Sequence, residues 1–133
     1  MTDAVDNAAA KMRTKVSELG GKFLTRTRDQ VNAMREHVAK IADGDASLLE
    51  PLQQVAHMIH GSGAVFGFAD ISEAADLLER ASAETTGALP GGDLTAHRIA
   101  AQRLSEHLER LARALQCVEG SAMVPELSAG NAP

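Results

Sequence analysis

The apolar residues of this chain recur every three or four positions over long segments that few glycines or prolines interrupt. This spacing is typical of amphipathic helices. The segments are rich in Ala, Leu, Glu, Arg and Gln, which favour helices, and they lack β-branched runs that alternate every second residue. Short loops between helices favour antiparallel neighbours. The pattern therefore predicts an all-α fold, an antiparallel four-helix bundle.

We expect the bundle helices at residues 22–42, 46–65, 70–86 and 93–118. Capping residues support two of the starts, with Asp93 opening the last helix and Asp70 or Ser72 opening the third. Each helix carries one apolar stripe, which predicts the core. In chain order, the stripes comprise Phe23, Leu24, Val31, Met34, Val38, Ile41 and Ala42; Leu48, Leu52, Val55, Ile59 and Phe66; Ile71, Ala74, Ala75, Leu77, Leu78 and Ala81; and Ala101, Leu104, Leu108, Leu111, Leu115 and Val118.

The two ends of the chain are expected to lie outside this bundle. Residues 1–21 form an N-terminal appendage with a weaker helix, which the Gly20-Gly21 pair is predicted to end. Residues 120–133 show no apolar periodicity and are predicted to form a flexible tail. The bundle proper then spans residues 22–119.

Composition narrows the function classes. The 133 residues suit one domain, and a net charge of −5 disfavours nucleic acid and anionic membranes as partners. Trp and Tyr are absent, which argues against an aromatic platform for nucleic acid, and no apolar run approaches the roughly 18 residues of a membrane span. Cys117 is the single cysteine, and the acidic N-terminus does not read as a signal peptide. We therefore expect a cytoplasmic monomer.

His57 is the candidate functional residue of the second helix. The stripe of this helix fixes its buried side, and His57 projects to the opposite, exposed side. Gly61 follows one turn later, although glycine inside a helix costs about 1 kcal/mol relative to alanine. A close approach of another backbone would explain that glycine. The surface beside His57 is thus expected to be free of bulky side chains.

The sequence AHMIHGSGAVFGF, followed by ISEAADLLERA, resembles the histidine-containing phosphotransfer (HPt) domain. The motif consists of a histidine, a glycine four residues later, small residues, and a second glycine about ten residues after the histidine. Leu78 and Glu79 resemble the family's leucine and glutamate on the next helix. The resemblance extends from Leu48 to roughly Ala83. The motif positions are His57, Gly61, Ser62, Gly63, Ala64 and Gly67.

The resemblance implies that His57 exchanges a phosphoryl group with an aspartate of a response-regulator receiver domain. A hybrid or sensor histidine kinase would supply the group, and Mg²⁺ would sit on the receiver, so the chain needs no cofactor of its own. Glu79 would accept the Nδ1 hydrogen of His57 and leave Nε2 free to attack. Gln54 is a further candidate for contacting the phosphoryl group. The candidates for partner binding are Gln53, Met58, Gly61, Ala64, Val65 and Gly67.

His60 departs from the family pattern, because members commonly carry lysine three residues after the active histidine. A lysine would hold a fixed positive charge, whereas an unperturbed imidazole is mostly neutral at pH 7. We expect His60 to be a neighbour of the phosphoryl group that makes the site less electropositive than usual.

Two other functions remain open at this point. His57 and His60 could bind a metal from one helix face, with Glu50 or Glu79 nearby, although no second motif of histidine and glutamate supports this reading. The more serious alternative is a helical adaptor that binds a signalling partner through the Gly61–Phe68 surface and carries no phosphate. Transfer of labelled phosphate would distinguish the adaptor from the phosphotransfer protein.

Overall fold

The computed structural model describes residues 2–89 and 93–131, with side chains described for 6–89 and 93–120. Within these residues the chain is helical and contains no strand. None of the described helices is both long and apolar enough to cross a membrane. The elements are α1 (Thr2–Ala42), a short 3₁₀ turn (Ala46–Leu48), α2 (Leu49–Val65), α3 (Ala69–Ala88) and α4 (Leu94–Asn131).

The core confirms the predicted stripes. Helix α1 packs on α4, α4 on α3, and α3 on α2, so the stripes meet in one apolar cluster. The largest side chains that are completely buried come from all four helices. They are Met34, Ile41, Leu52, Ile59, Ile71, Leu78, Leu104, Leu108 and Leu111. Predicted members at the margins, such as Leu24, Val55 and Val118, are half-buried. The all-α bundle expected from the sequence is therefore present.

The prediction that Gly20-Gly21 ends an N-terminal helix is wrong, because α1 runs through both glycines without a break. Each glycine costs roughly 1 kcal/mol in helix propensity, which a long helix tolerates. Neither glycine adopts a positive φ. Gly20 is buried, and a Cβ there would lie 3.7 Å from Cζ of Phe68. The ring of Phe68 therefore packs against this part of the helix.

The C-terminal region also differs from the expectation of an irregular tail. The backbone of α4 continues as helix to Asn131, beyond the predicted end near residue 119. Ala, Met, Leu and Glu in this stretch favour a helix, whereas Pro125 opposes it because proline lacks the amide hydrogen of one helical bond, so propensity alone does not explain the continuation. The side chains after Gly120, together with residues 132–133, lie outside the described part of the chain.

Two arginine–glutamate pairs link α1 to α4. Arg28 Nη2 lies 2.6 Å from Glu119 Oε2, and Arg35 donates two hydrogen bonds of 2.9 Å to Glu109. The hydrogen bond from Arg35 holds the pKa of Glu109 below its ordinary value. Because these side chains are largely exposed to water, the pairs add little stability. Both pairs are compatible with the antiparallel packing of α1 against α4.

The helix starts agree with the predicted capping at one of two places. Asp93 caps α4 through Oδ1, which accepts a 2.9 Å hydrogen bond from the amide of Ala96. The predicted side-chain cap on α3 is absent: Phe68 occupies the N-cap position and makes no side-chain cap bond. Packing explains this start, because the ring of Phe68 stacks on Phe23 at 5.8 Å. Ser72 has a different partner, described below.

Gly67 ends α2 through its backbone conformation. Its φ is +80°, which an L side chain rarely adopts, and its amide donates to the carbonyl of Ala64. The next amide, that of Phe68, donates to the carbonyl of Gly63 at 2.8 Å. These two bonds form a Schellman motif, which satisfies the last free carbonyls of the helix. The motif sets the turn that brings α3 back along α2.

Gly63 allows α2 and α3 to pack closely. It is buried, and a Cβ added there would lie 3.2 Å from the backbone nitrogen of Ser72. A Cβ added at Gly61 would meet no atom within 4 Å. The close approach of a backbone that the sequence suggested for Gly61 therefore occurs at Gly63 within this chain.

These two glycines give a matched stability test. Gly61→Ala should stabilise the protein by up to about 1 kcal/mol through helix propensity. Gly63→Ala should be less stable than Gly61→Ala by about 1–3 kcal/mol, because its Cβ presses on backbone that cannot move freely. Urea unfolding followed by circular dichroism measures both. Equal stability of the two variants would contradict the described packing of α2 on α3.

Candidate functional site

His57 stands on the exposed face of α2 and contacts α3. Its side chain is 72% exposed, as the sequence predicted. Its Nδ1 lies 2.8 Å and 3.0 Å from the two carboxylate oxygens of Glu79, whose side chain is 18% exposed. The antiparallel packing of α2 on α3 thus brings together the two residues that the sequence linked.

The chemistry of Glu79 determines the proton position on His57. A carboxylate accepts hydrogen bonds and does not donate them, so Nδ1 must carry the hydrogen. In the neutral ring, Nε2 then holds a free lone pair. This nitrogen is the nucleophilic atom of the imidazole. The arrangement presents Nε2 on the surface, and the negative charge of Glu79 lies on the Nδ1 side of the ring.

A shallow depression surrounds this pair. It is lined by Glu50, Gln53, Gln54, His57, Met58 and Glu79. The amide of Gln54 donates to Glu50 at 3.4 Å, so this exposed side chain is already directed along the helix. Gln53 is half-buried. Both glutamines thus lie beside His57, and their contact with a phosphoryl group stays a prediction. From the sequence, Glu50 was considered only as a carboxylate near a possible metal site, and the structure places it beside Gln54 in this depression.

The surface beyond His57 is flat and partly apolar. Gly61 and Ala64 are exposed on the same face of α2, four and seven residues after His57. Met58 is 57% exposed and Val65 is 80% exposed. The structure therefore places these four predicted contact residues on one accessible surface, whereas Gly67 has a backbone role in ending α2. Their part in partner binding stays a prediction.

His60 is placed differently from the expected free neighbour of a phosphoryl group. It is half-buried, and its Nδ1 lies 3.0 Å from both the carbonyl oxygen and Oγ of Ser72. The hydroxyl of Ser72 donates in turn to the carbonyl of His60 at 2.7 Å. Because a carbonyl only accepts, Nδ1 of His60 carries the hydrogen. The side chain is held against α3, and it borders a depression other than the one around His57.

Ser72 is the site residue that sequence reasoning missed. The sequence suggested a capping role, but the residue is 7% exposed and bonds α2 instead. A signal was available, because Ser72 lies seven residues before Glu79 and therefore on the same flank of α3, the flank that faces α2. A polar side chain on a buried face needs a partner. The bonds between His60 and Ser72 lie on the same pair of helices as the bond between His57 and Glu79.

Removal of the Ser72 hydroxyl should destabilise the protein by about 1–3 kcal/mol, because groups of His60 lose their buried partner. Ser82→Ala is the matched control. Ser82 is also buried on α3, but its hydroxyl bonds only the carbonyl of Leu78 in its own helix. We expect Ser82→Ala to be nearly neutral by urea unfolding. A Ser72→Ala variant as stable as Ser82→Ala would show that the link between the helices contributes nothing.

The structure offers no support for the metal reading. Within the described residues, no group of three or more His, Cys, Asp or Glu side chains is placed to hold an ion. The Nδ1 atoms of His57 and His60 face different partners, a carboxylate and a serine.

The fold and the site together define a small helical bundle that presents an exposed histidine, whose Nδ1 contacts a carboxylate of the neighbouring helix. The family model of the Hpt domain matches residues 18–114, well over half of the chain. The chain therefore belongs to the Hpt domain family. No curated protein and no solved structure matches it. The family match leaves the first turns of α1 outside the domain.

Proposed function

We propose that this protein is a histidine phosphotransfer protein that shuttles a phosphoryl group between His57 and receiver-domain aspartates in a multistep phosphorelay. The observation that supports this most directly is the pair formed by His57 and Glu79. It leaves Nε2 unprotonated on a surface that a partner can reach. Membership of the Hpt domain family supports the same reaction.

The transfer step needs only groups that this site and a receiver possess. The Nε2 lone pair of His57 attacks the phosphorus of the receiver's aspartyl phosphate. The N–P bond forms as the P–O bond breaks, and the aspartate leaves as a carboxylate. The hydrogen on Nδ1 stays in its bond to Glu79, so the phosphorylated ring carries a positive charge that the carboxylate of Glu79 balances. Transfer in the other direction reverses these steps.

The proposal divides the catalytic work between two proteins. Phosphoryl transfer depends mainly on in-line positioning and charge stabilisation. The receiver would contribute Mg²⁺ and its acidic pocket, and this chain would contribute the nucleophile and the docking face. The sequence holds no GxxxxGK[ST] motif, the loop that binds nucleotide phosphates in many ATP-dependent proteins. A separate hybrid or sensor histidine kinase would therefore supply the phosphoryl group. One copy suffices for the reaction, because His57 and Glu79 belong to the same chain.

The proposed reaction takes place in the cytoplasm, where the exposed thiol of Cys117 would remain reduced.

Docking should depend on the open space above Gly61. Gly61→Arg should place a long side chain one turn from His57 and slow phosphoryl transfer from a receiver by about tenfold or more through steric obstruction. Gly87→Arg is the matched control, because Gly87 is also helical with no atom within 4 Å of a built Cβ. Rapid-quench transfer assays and melting curves compare the two. Equal transfer rates would show that the receiver does not approach over Gly61.

The decisive test mixes the protein with a receiver domain carrying ³²P on its aspartate, in the presence of Mg²⁺. We expect label to appear on this chain within minutes, and the label should be lost in acid and kept in alkali, as a phosphoramidate requires. An adaptor that only binds its partner would form a complex without acquiring label. Stable binding without label, tested with several receivers, would contradict the proposal.

A further inference from the structure

The N-terminal part of α1 is an amphipathic helix that no side chain in the described part of the chain covers. Residues 6–19 are all exposed. At 1.5 Å per residue, this segment is about 20 Å long. Even so, Met12, Val16 and Leu19 form an apolar stripe, with exposures of 70%, 50% and 39%. The spacing of four, three and then four residues to Phe23 continues this stripe directly into the bundle core. Side chains at this spacing form a seam, the line of contact along which two helices pack side by side.

Positive charges line one edge of this stripe. Six of the chain's 13 Lys and Arg residues fall between residues 11 and 28, where Glu18 is the single acidic residue, although the whole chain carries a net charge of −5. At about 100° per residue, four of these cations lie along the same edge, where Glu18 and Asp29 are the neighbouring carboxylates. The four cations are exposed, and none forms an ion pair with a described carboxylate. These four are Lys11, Lys15, Lys22 and Arg26.

We propose that the Met12, Val16 and Leu19 stripe is a docking seam for one amphipathic helix of a partner protein, and that the facing edge of that helix is acidic. An isolated helix of this length is marginal in water, so a partner helix that buries the stripe would stabilise it. Glutamates or aspartates on the partner would complement the row of cations and exclude helices with basic flanks. Two of the three seam residues, Met12 and Val16, lie outside residues 18–114, so the seam would add a binding function to the matched domain.

Charge argues against a second copy of this chain as the occupant. In an antiparallel pair of seams, Lys15 would face Lys22 of the other copy. In a parallel pair, the row of cations on one copy would face the opposite edge of the other copy's stripe, which carries Arg13 and Gly20. Although Glu18 lies on this edge, cations outnumber carboxylates between the two copies in either arrangement, which disfavours self-pairing.

The composition of the stripe disfavours a membrane surface. Helices that lie on membranes usually bury a broad face with Trp, Phe and Leu. This stripe is narrow, and no aromatic residue occurs between residues 6 and 22. A single partner helix fits three side chains at heptad spacing better than a lipid surface does.

Two synthetic helical peptides test the proposal with the full chain. Both carry leucine at the seam positions, and they differ in having glutamate or lysine at the flanking positions. Fluorescence anisotropy should show binding of the glutamate peptide at least about tenfold tighter than that of the lysine peptide, a difference that added salt reduces. Reversing the charges by Lys15→Glu with Lys22→Glu should reverse this preference.

Val16→Asp and Thr14→Asp form the control pair, because they add the same charge on opposite faces of one helix. Val16→Asp should weaken binding of the glutamate peptide about tenfold, Thr14→Asp less than about twofold, and neither should alter phosphoryl transfer to His57. Equal affinity for both peptides, or equal loss in both variants, would overturn the proposal. Self-association in sedimentation, or binding to phosphatidylserine vesicles without binding to the glutamate peptide, would overturn it in favour of those occupants.

Discussion

His57→Gln should abolish phosphoryl labelling of this protein completely. Glutamine keeps a polar side chain of similar reach, but it has no nitrogen lone pair that can attack phosphorus. Because the His57 side chain is 72% exposed, its replacement should change the free energy of unfolding by no more than about 0.5 kcal/mol. Labelling by a phosphorylated receiver, measured beside urea unfolding, gives both quantities.

His60→Gln is the control for this loss, because His60 is the other histidine near the end of α2. It should lose some stability through its bonds to Ser72 and keep its label on His57. If label persists in His57→Gln, or disappears only in His60→Gln, then His57 is not the histidine that accepts the phosphoryl group.

Glu79→Ala should slow phosphoryl transfer by about tenfold to a hundredfold without abolishing it, a range typical when a group that orients a reacting imidazole or metal ligand is removed. The imidazole loses the acceptor that holds the hydrogen on Nδ1, and the phosphorylated ring loses its balancing charge. Glu79→Gln separates these effects, because its amide oxygen can still accept the hydrogen but carries no charge. We expect its rate to lie between those of the wild type and the alanine variant.

Nitrogen chemical shifts of the imidazole provide the second readout for Glu79. The wild type should show mainly the form protonated on Nδ1, and Glu79→Ala should shift the ring toward the form protonated on Nε2. An unchanged tautomer balance together with an unchanged rate would reduce Glu79 to an ordinary surface residue.

The positions of the main helices followed from the sequence because apolar spacing reports burial directly. Met34, Leu52, Leu78 and Leu108 were all assigned to the core from periodicity, and all are completely buried. The exposure of His57 followed from the same argument. The contact between His57 and Glu79 was expected from the resemblance to the HPt family and from the position of Glu79 on the flank of its helix.

Features that depend on contacts between helices could not be read in this way. The approach of α2 to α3 at Gly63 depends on the distance between two backbones, which periodicity does not give. His60 was predicted to be a free neighbour of the phosphoryl group, but a serine on α3 binds it. The sequence predicts a helix end at Gly20-Gly21, but α1 continues through both glycines and the ring of Phe68 packs over Gly20. In each case a tertiary partner decided the outcome.

The most direct test of the account is the position of the phosphoryl group on the phosphorylated protein. Nitrogen and phosphorus NMR of the selectively ¹⁵N-histidine-labelled chain, charged by a receiver, identifies the bonded nitrogen through its coupling to phosphorus. We expect a phosphoryl group on Nε2 of His57, with the hydrogen retained on Nδ1. A phosphoryl group on Nδ1 of His57, on His60, or on no histidine would contradict it.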